Sequence, residues 1–219
     1  TATGIYASTV IYDADVTNSG TVYAYAGYFG DEGIQATGVH AQTTLGDASL
    51  TNSGSIDAIA TGLSFDGSAQ AVGALVFSDE YYAVVDNSGT INANAFAYGY
   101  DGVSAFGVVA AGYLGADVTN SGSISAIAYG YGYHYGVSST GILALSGDVV
   151  TVNNSGTVYA GTYSIAPGDS YDDYATGIRA QGGGNIYVDN SGEVDAVLYA
   201  FSGGMATGIS VTTPAVAYV

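Results

Sequence analysis

The sequence predicts an all-β parallel β-helix (β-solenoid) of about six coils, each about 34 residues long with three short strands. Three observations carry this: a recurring Asn-Ser-Gly, a second glycine motif of the same period, and strict apolar/polar alternation around both. The Asn-Ser-Gly asparagines stand at 18, 52, 87, 120, 154 and 190, so the gaps are 34, 35, 33, 34 and 36. The second motif, typically Ala-Thr-Gly-(Ile/Val)-x-Ala, has its glycine at 4, 38, 73, 107, 141, 177 and 208. Two independent markers keeping one period over the chain define a single repetitive domain, residues 1–219.

Each unit resolves into strands by a period of two. Ahead of the motif, Ala14, Val16 and Asn18 share a face, as do Ala48, Leu50 and Asn52. After it, Val22, Ala24 and Ala26 alternate with polar or aromatic residues, as do Ile56, Ala58 and Ala60. A third strand follows the other glycine, as in Val39/Ala41 and Ile142/Ala144. Two tight turns and one variable loop join the three. Equivalent strands of successive coils then pair in parallel about 4.8 Å apart. A variant with two coils per unit is disfavoured, because the half-spacings are unequal and their flanking motifs differ. Right-handed winding follows the general rule for parallel crossovers.

Strand parity points Asn18, Asn52, Asn87, Asn120, Asn154 and Asn190 inward, in one column at one corner. A buried amide left unbonded costs about 1–3 kcal/mol, so these amides are expected to bond to each other or to the turn backbone, as amide ladders do. The following glycine supplies positive φ or close backbone approach. Alanine fills the narrow interior and Val or Ile its wider part.

Composition narrows the function. Charged residues are 9% of the chain, against about 25% in ordinary domains. One basic side chain, Arg179, faces 19 acids for a net charge of -18, which disfavours nucleic acid and anionic membranes. There is no cysteine and no apolar run of membrane-spanning length. Asp13 and Asp15, Asp79 and Glu80, and Asp172 and Asp173 with Asp169 nearby are the close acids; they are expected as solvated residues, with calcium at the loop as the minor alternative. No catalytic pair, metal site or cofactor is assigned. His40 falls in an outward column with Tyr6 and Arg179, His134 in a variable loop, and Gly182–Asn185 lacks the rest of a phosphate loop. Tyrosine, 21 residues, is the remaining surface feature. Tyr98, Tyr100, Tyr129, Tyr131, Tyr133 and Tyr135 are the candidate contact residues, for stacking along the rod or for binding sugars or further copies.

The units "VTNSGTVYAYA" and "ATGVHAQTTLGDASLTNSGSI" resemble the Asn-Ser-Gly-Thr-Ile repeats of bacterial autotransporter passengers and related surface adhesins. The resemblance covers nearly the whole chain. It implies a right-handed parallel β-helix displayed outside the cell, and it brings no catalytic residues. Both chain ends are in phase with the repeat and lack a charged or helical cap, which raises the expectation of end-to-end stacking into a filament or of a slice through a longer fibre. The expected role is therefore an extracellular structural or adhesive solenoid and not an enzyme. Its partners are other copies of itself and cell-surface glycans, without nucleic acid or membrane insertion. A polysaccharide-active β-helix is the alternative; an ice-binding solenoid is another, hinted by Thr21, Ser55, Thr90, Ser123 and Thr157 but broken by Glu193.

Overall fold

A computed structural model describes residues 1–28, 33–63, 68–98, 102–131, 136–165, 173–200 and 203–219. The described strands form three parallel sheets, and the chain visits them in the same order on every circuit. Sheet A holds Ala2–Thr9, Ile34–Thr43, Ala69–Ser78, Val103–Gly112, Val137–Ser146, Tyr174–Gly182 and Met205–Thr212. Sheet B holds Ala14–Asn18, Ala48–Asn52, Tyr82–Asn87, Gly115–Asn120, Val149–Asn154, Ile186–Asn190 and Ala217–Tyr218. Sheet C holds Thr21–Tyr28, Ser55–Leu63, Thr90–Tyr98, Ser123–Tyr131, Thr157–Ile165 and Glu193–Ala200. Each repeat is thus one coil of a β-solenoid with three strands, and among the described residues there is no helix. Register follows the sequence period: Ala14 pairs with Ala48, Ala48 with Ala83, and Asn18 with Asn52.

One boundary differs from the sequence reading. The third strand does not begin after the Ala-Thr-Gly glycine but runs through it, as in Ile34–Thr43 around Gly38. The ladder skips the glycine: Thr37 pairs with Val72 and Val39 with Ala74, while Gly38 is left out. Inward parity shifts there too, since both Ala36 and Val39 are fully buried. The strand therefore bends at this point, and short-range alternation read from either side hides a mid-strand kink.

The bend divides the interior into two lobes. A wide lobe takes Val39, Ala41, Leu50, Ile56 and their equivalents from all three sheets. A narrow lobe, nearly all alanine, takes Ala36, Ala58, Ala60 and their equivalents from sheets A and C. The glycine sits at the waist. A Cβ on Gly38, Gly73 or Gly107 would collide with the Cγ2 methyl of Ile56, Ile91 or Ile124 on sheet C, and with the next coil's glycine carbonyl. The missing side chain lets the β-branched one fill the pinch, so glycine on one wall and Val or Ile on the other are two halves of one device.

The Asn-Ser-Gly glycines act differently. A Cβ on Gly54, Gly89, Gly122, Gly156 or Gly192 would collide with the carbonyl oxygen of the equivalent glycine one coil earlier. None of them has positive φ; the positive-φ glycines described are Gly136, Gly203 and Gly204. Of the two reasons the sequence offered, close backbone approach is the operative one.

Candidate functional site

The asparagine column is an unbroken amide ladder. Asn18 Nδ2 donates to Asn52 Oδ1 at 2.8 Å, Asn52 to Asn87 at 2.8 Å, and Asn87 to Asn120 at 2.8 Å. Asn120 donates to Asn154 at 2.7 Å and Asn154 to Asn190 at 2.7 Å. The first five are buried, whereas Asn190 is exposed. The main chain closes the corner in parallel: Ser53 and Gly54 both donate to the Asn18 carbonyl, at 2.9 and 3.2 Å, and the pattern repeats at Asn52, Asn87, Asn120 and Asn154. Every amide points the same way along the axis. All of this satisfies buried polar groups, so the motif builds a corner.

Acids on the outer faces are absorbed in a similar axial manner. Asp15 Oδ1 accepts from Ser49 Oγ at 2.5 Å, and Asp57 accepts from Asn92 Nδ2 at 2.7 Å. In the turns, Asp13 accepts the backbone N–H of Asp47 at 2.9 Å, and Asp47 accepts that of Tyr82 at 3.1 Å. Each of these carboxylates meets a donor from the next coil instead of another carboxylate, which lets a highly acidic chain stack. Asp79 and Glu80 are exposed, as expected.

Asp173 corrects the reading of the acidic loop. Asp169 and Asp172 lie outside the described residues, but Asp173 is fully buried, not solvated. Its Oδ1 accepts the N–H of Val137 at 2.8 Å. In the preceding coils that same position donates to a main-chain carbonyl: Ile34 to Ser68, Ala69 to Gly102, Val103 to Gly136. The carboxylate therefore substitutes for a carbonyl in the ladder. Its Oδ2 is the one buried side-chain atom without a hydrogen-bond partner among the described residues. Nearby inward positions also turn polar. Thr162 Oγ1 donates to the Tyr174 carbonyl at 2.6 Å, so Ser139 Oγ must donate to Thr162 at 2.7 Å. Among the described residues no three His, Cys, Asp or Glu side chains gather as a metal site.

The aromatic candidates stack in two neighbouring outward columns of sheet C. Tyr98 and Tyr131 lie 5.0 Å apart at 19°. Tyr129 lies between Phe96, at 5.5 Å, and Tyr163, at 5.8 Å. Tyr98 and Tyr131 are exposed and Tyr129 half-buried. Tyr100, Tyr133 and Tyr135, with His134, lie outside the described residues. Phe96 and Tyr163 are not among the tyrosine candidates of the sequence; the 34-residue register is the signal that aligns them with Tyr129. Tyr163 also hydrogen-bonds Tyr159 hydroxyl to hydroxyl at 2.8 Å across Gly161, where a Cβ would strike both rings. That bond, then partial burial and the charges of Tyr163 and Asp195, push the Tyr159 phenol up to about 12. On sheet A, His40 is half-buried and sets its ring edge-on to Tyr6 at 4.9 Å; burial lowers it below the usual imidazole value.

A surface groove of about 350 Å³ runs beside sheet A over Phe77, Ala111 and Leu145, with Asp79 and Tyr113 at its rim. It brings together no acid–base pair. The Thr21 column stands in register through Ser55, Thr90, Ser123 and Thr157 to Glu193. No helix among the described residues is long and apolar enough to cross a membrane. In comparisons with known proteins, no family profile, curated protein or solved structure matches the chain.

Proposed function

We propose that this protein is a structural and adhesive β-solenoid that acts outside the cell as a segment of a stiff surface fibre, coil stacking on coil within a chain and between copies. The observation that carries the reading is the direction of its polar chemistry. The asparagine ladder, the acid–donor pairs and the three backbone ladders all run along the axis. An arrangement of this kind resists bending and, among the described residues, brings no acid–base pair together. The amide ladder is polar, with a carbonyl end at Asn18 and an amide end at Asn190, so an added coil would find a matching group at either side. The exposed Tyr98 and Tyr131 stack supplies the adhesive face, fitted to the flat apolar side of sugar rings.

Electron microscopy of the purified chain over rising concentration tests this. Short rods that lengthen into filaments of constant width are expected, together with retention on a glycan array that Tyr98→Ala and Tyr131→Ala weaken. Globular particles, or turnover of an acidic polysaccharide, would overturn it.

A further inference from the structure

None of the 19 acids lies on the seven strands of sheet A. Seven of them lie on the outer faces of the other two sheets, Asp15, Asp86, Asp117 and Asp189 on B, and Asp57, Glu193 and Asp195 on C, and the rest fall between strands. Sheet A instead carries the single arginine, Arg179, and His40. Burial keeps that imidazole below its usual value. Beyond the glycine bend, the outward columns of sheet A are apolar through the middle coils. One column runs Leu75, Val109, Leu143, and the next runs Phe77, Ala111, Leu145, each in register with its neighbour. All six are half-buried, and the second column floors the 350 Å³ groove.

We propose that this face is a lateral pairing surface, through which two copies of the solenoid lie side by side with sheet A against sheet A. The occupant follows from charge. Two rods of net charge -18 repel wherever their acidic faces meet. Meeting on sheet A turns the acids of sheets B and C away from the partner. It leaves at the edge of the contact only turn acids such as Asp79, Glu80 and Asp148, which are exposed and open to screening, whose length is about 10 Å at 0.1 M salt. A cationic partner would instead be drawn to the acids of B and C. An anionic one would find a single arginine. A glycan would find no donor side chain among the six apolar residues, and the stacked rings lie on sheets B and C. Outward side chains of two such faces interdigitate at about 10 Å between sheets. The flat strip is roughly 13 Å wide and the stack roughly 30 Å long, so each copy would bury on the order of 400 Å². That is the scale of a weak contact in one chain, gaining strength as coils are added.

The test uses the 219-residue chain at high concentration, with sedimentation equilibrium for mass and small-angle scattering for mass per unit length, at low and at raised salt. Lateral pairs should double the mass per length and increase with salt, because screening relieves net repulsion. Leu143→Glu should weaken pairing roughly tenfold or more. Ile127→Glu, the same change at a half-buried outward position on sheet C, should leave it unchanged. Phe77→Ser gives a second, uncharged disruption, and circular dichroism checks that each variant keeps its strands. Monomer at both salts, or equal weakening by Ile127→Glu, would overturn the proposal. So would assembly at constant mass per length, which is end-to-end stacking alone; lateral pairs without filaments would instead count only against the fibre reading.

Discussion

On sheet C, Ile56, Ile91 and Ile124 form one inward column, and Ala58, Ala93 and Ala126 form the next, two residues along the same strands. All six are fully buried, yet the first column lies in the wide lobe and the second in the narrow one. Backbone pairing is the same for both, so side-chain size is set by the distance to the opposite wall. In the wide lobe that wall includes sheet B and the glycine waist; in the narrow lobe it is sheet A alone. A parallel ladder fixes where residues stand, while the cross-section fixes how large they are.

The two lobes should fail in opposite ways. Ile91→Ala empties the waist, where its methyl fills the gap left by Gly73, and should lose about 2–5 kcal/mol in denaturant unfolding. Ala93→Leu, two residues on, should lose about 1–3 kcal/mol through overpacking. One site suffers from too little side chain and the other from too much. If Ala93→Leu proved neutral or stabilising, the narrow lobe would hold free space and the division would lose its physical basis.

How much of this was legible beforehand follows from what a period can and cannot carry. Coil number, strand count, register and the inward asparagine column came directly from spacing and parity, because every coil repeats them. The outward columns were legible for the same reason: Asp15, Ser49, Val84 and Asp117 stand in line as the register requires. The bend at Gly38 was not, since each half of that strand alternates correctly and only the missing ladder partner exposes the kink. The fate of Asp173 was hidden as well. Loop composition suggested solvent, but its backbone position falls one residue before Tyr174, opposite the inward Val137.

Asp173 sharpens the contrast within the narrow lobe, whose apolar run stops where Ser139, Thr162, Ser164 and Asp173 enter. Asp173→Ala removes the acceptor for the Val137 N–H and should lose about 1–3 kcal/mol. Asp173→Asn keeps a carbonyl oxygen for that bond and replaces the unpartnered Oδ2 with an amide donor. It should match or exceed the parent in thermal unfolding. Equal losses for both variants would mean that the carboxylate itself, through its charge, is what this corner requires.

The smallest effect belongs to the outer surface, where Tyr159 and Tyr163 meet above Gly161. The Tyr159 phenol is pushed up to about 12, first by its hydrogen bond with Tyr163. A raised phenol favours the protonated, folded form. The contribution is complete below the ordinary phenol value of about 10 and disappears as pH rises through the folded value of about 12. Tyr163→Phe deletes the bond and the neighbouring charge, so spectrophotometric titration should find one fewer late-ionising tyrosine in the variant. Stability at neutral pH, where that contribution is complete, should fall by no more than about 1 kcal/mol, because the two half-buried hydroxyls can exchange the bond for water. An unchanged titration would assign the shift to burial beside Gly161, which would make this strip of surface tighter than its exposure implies.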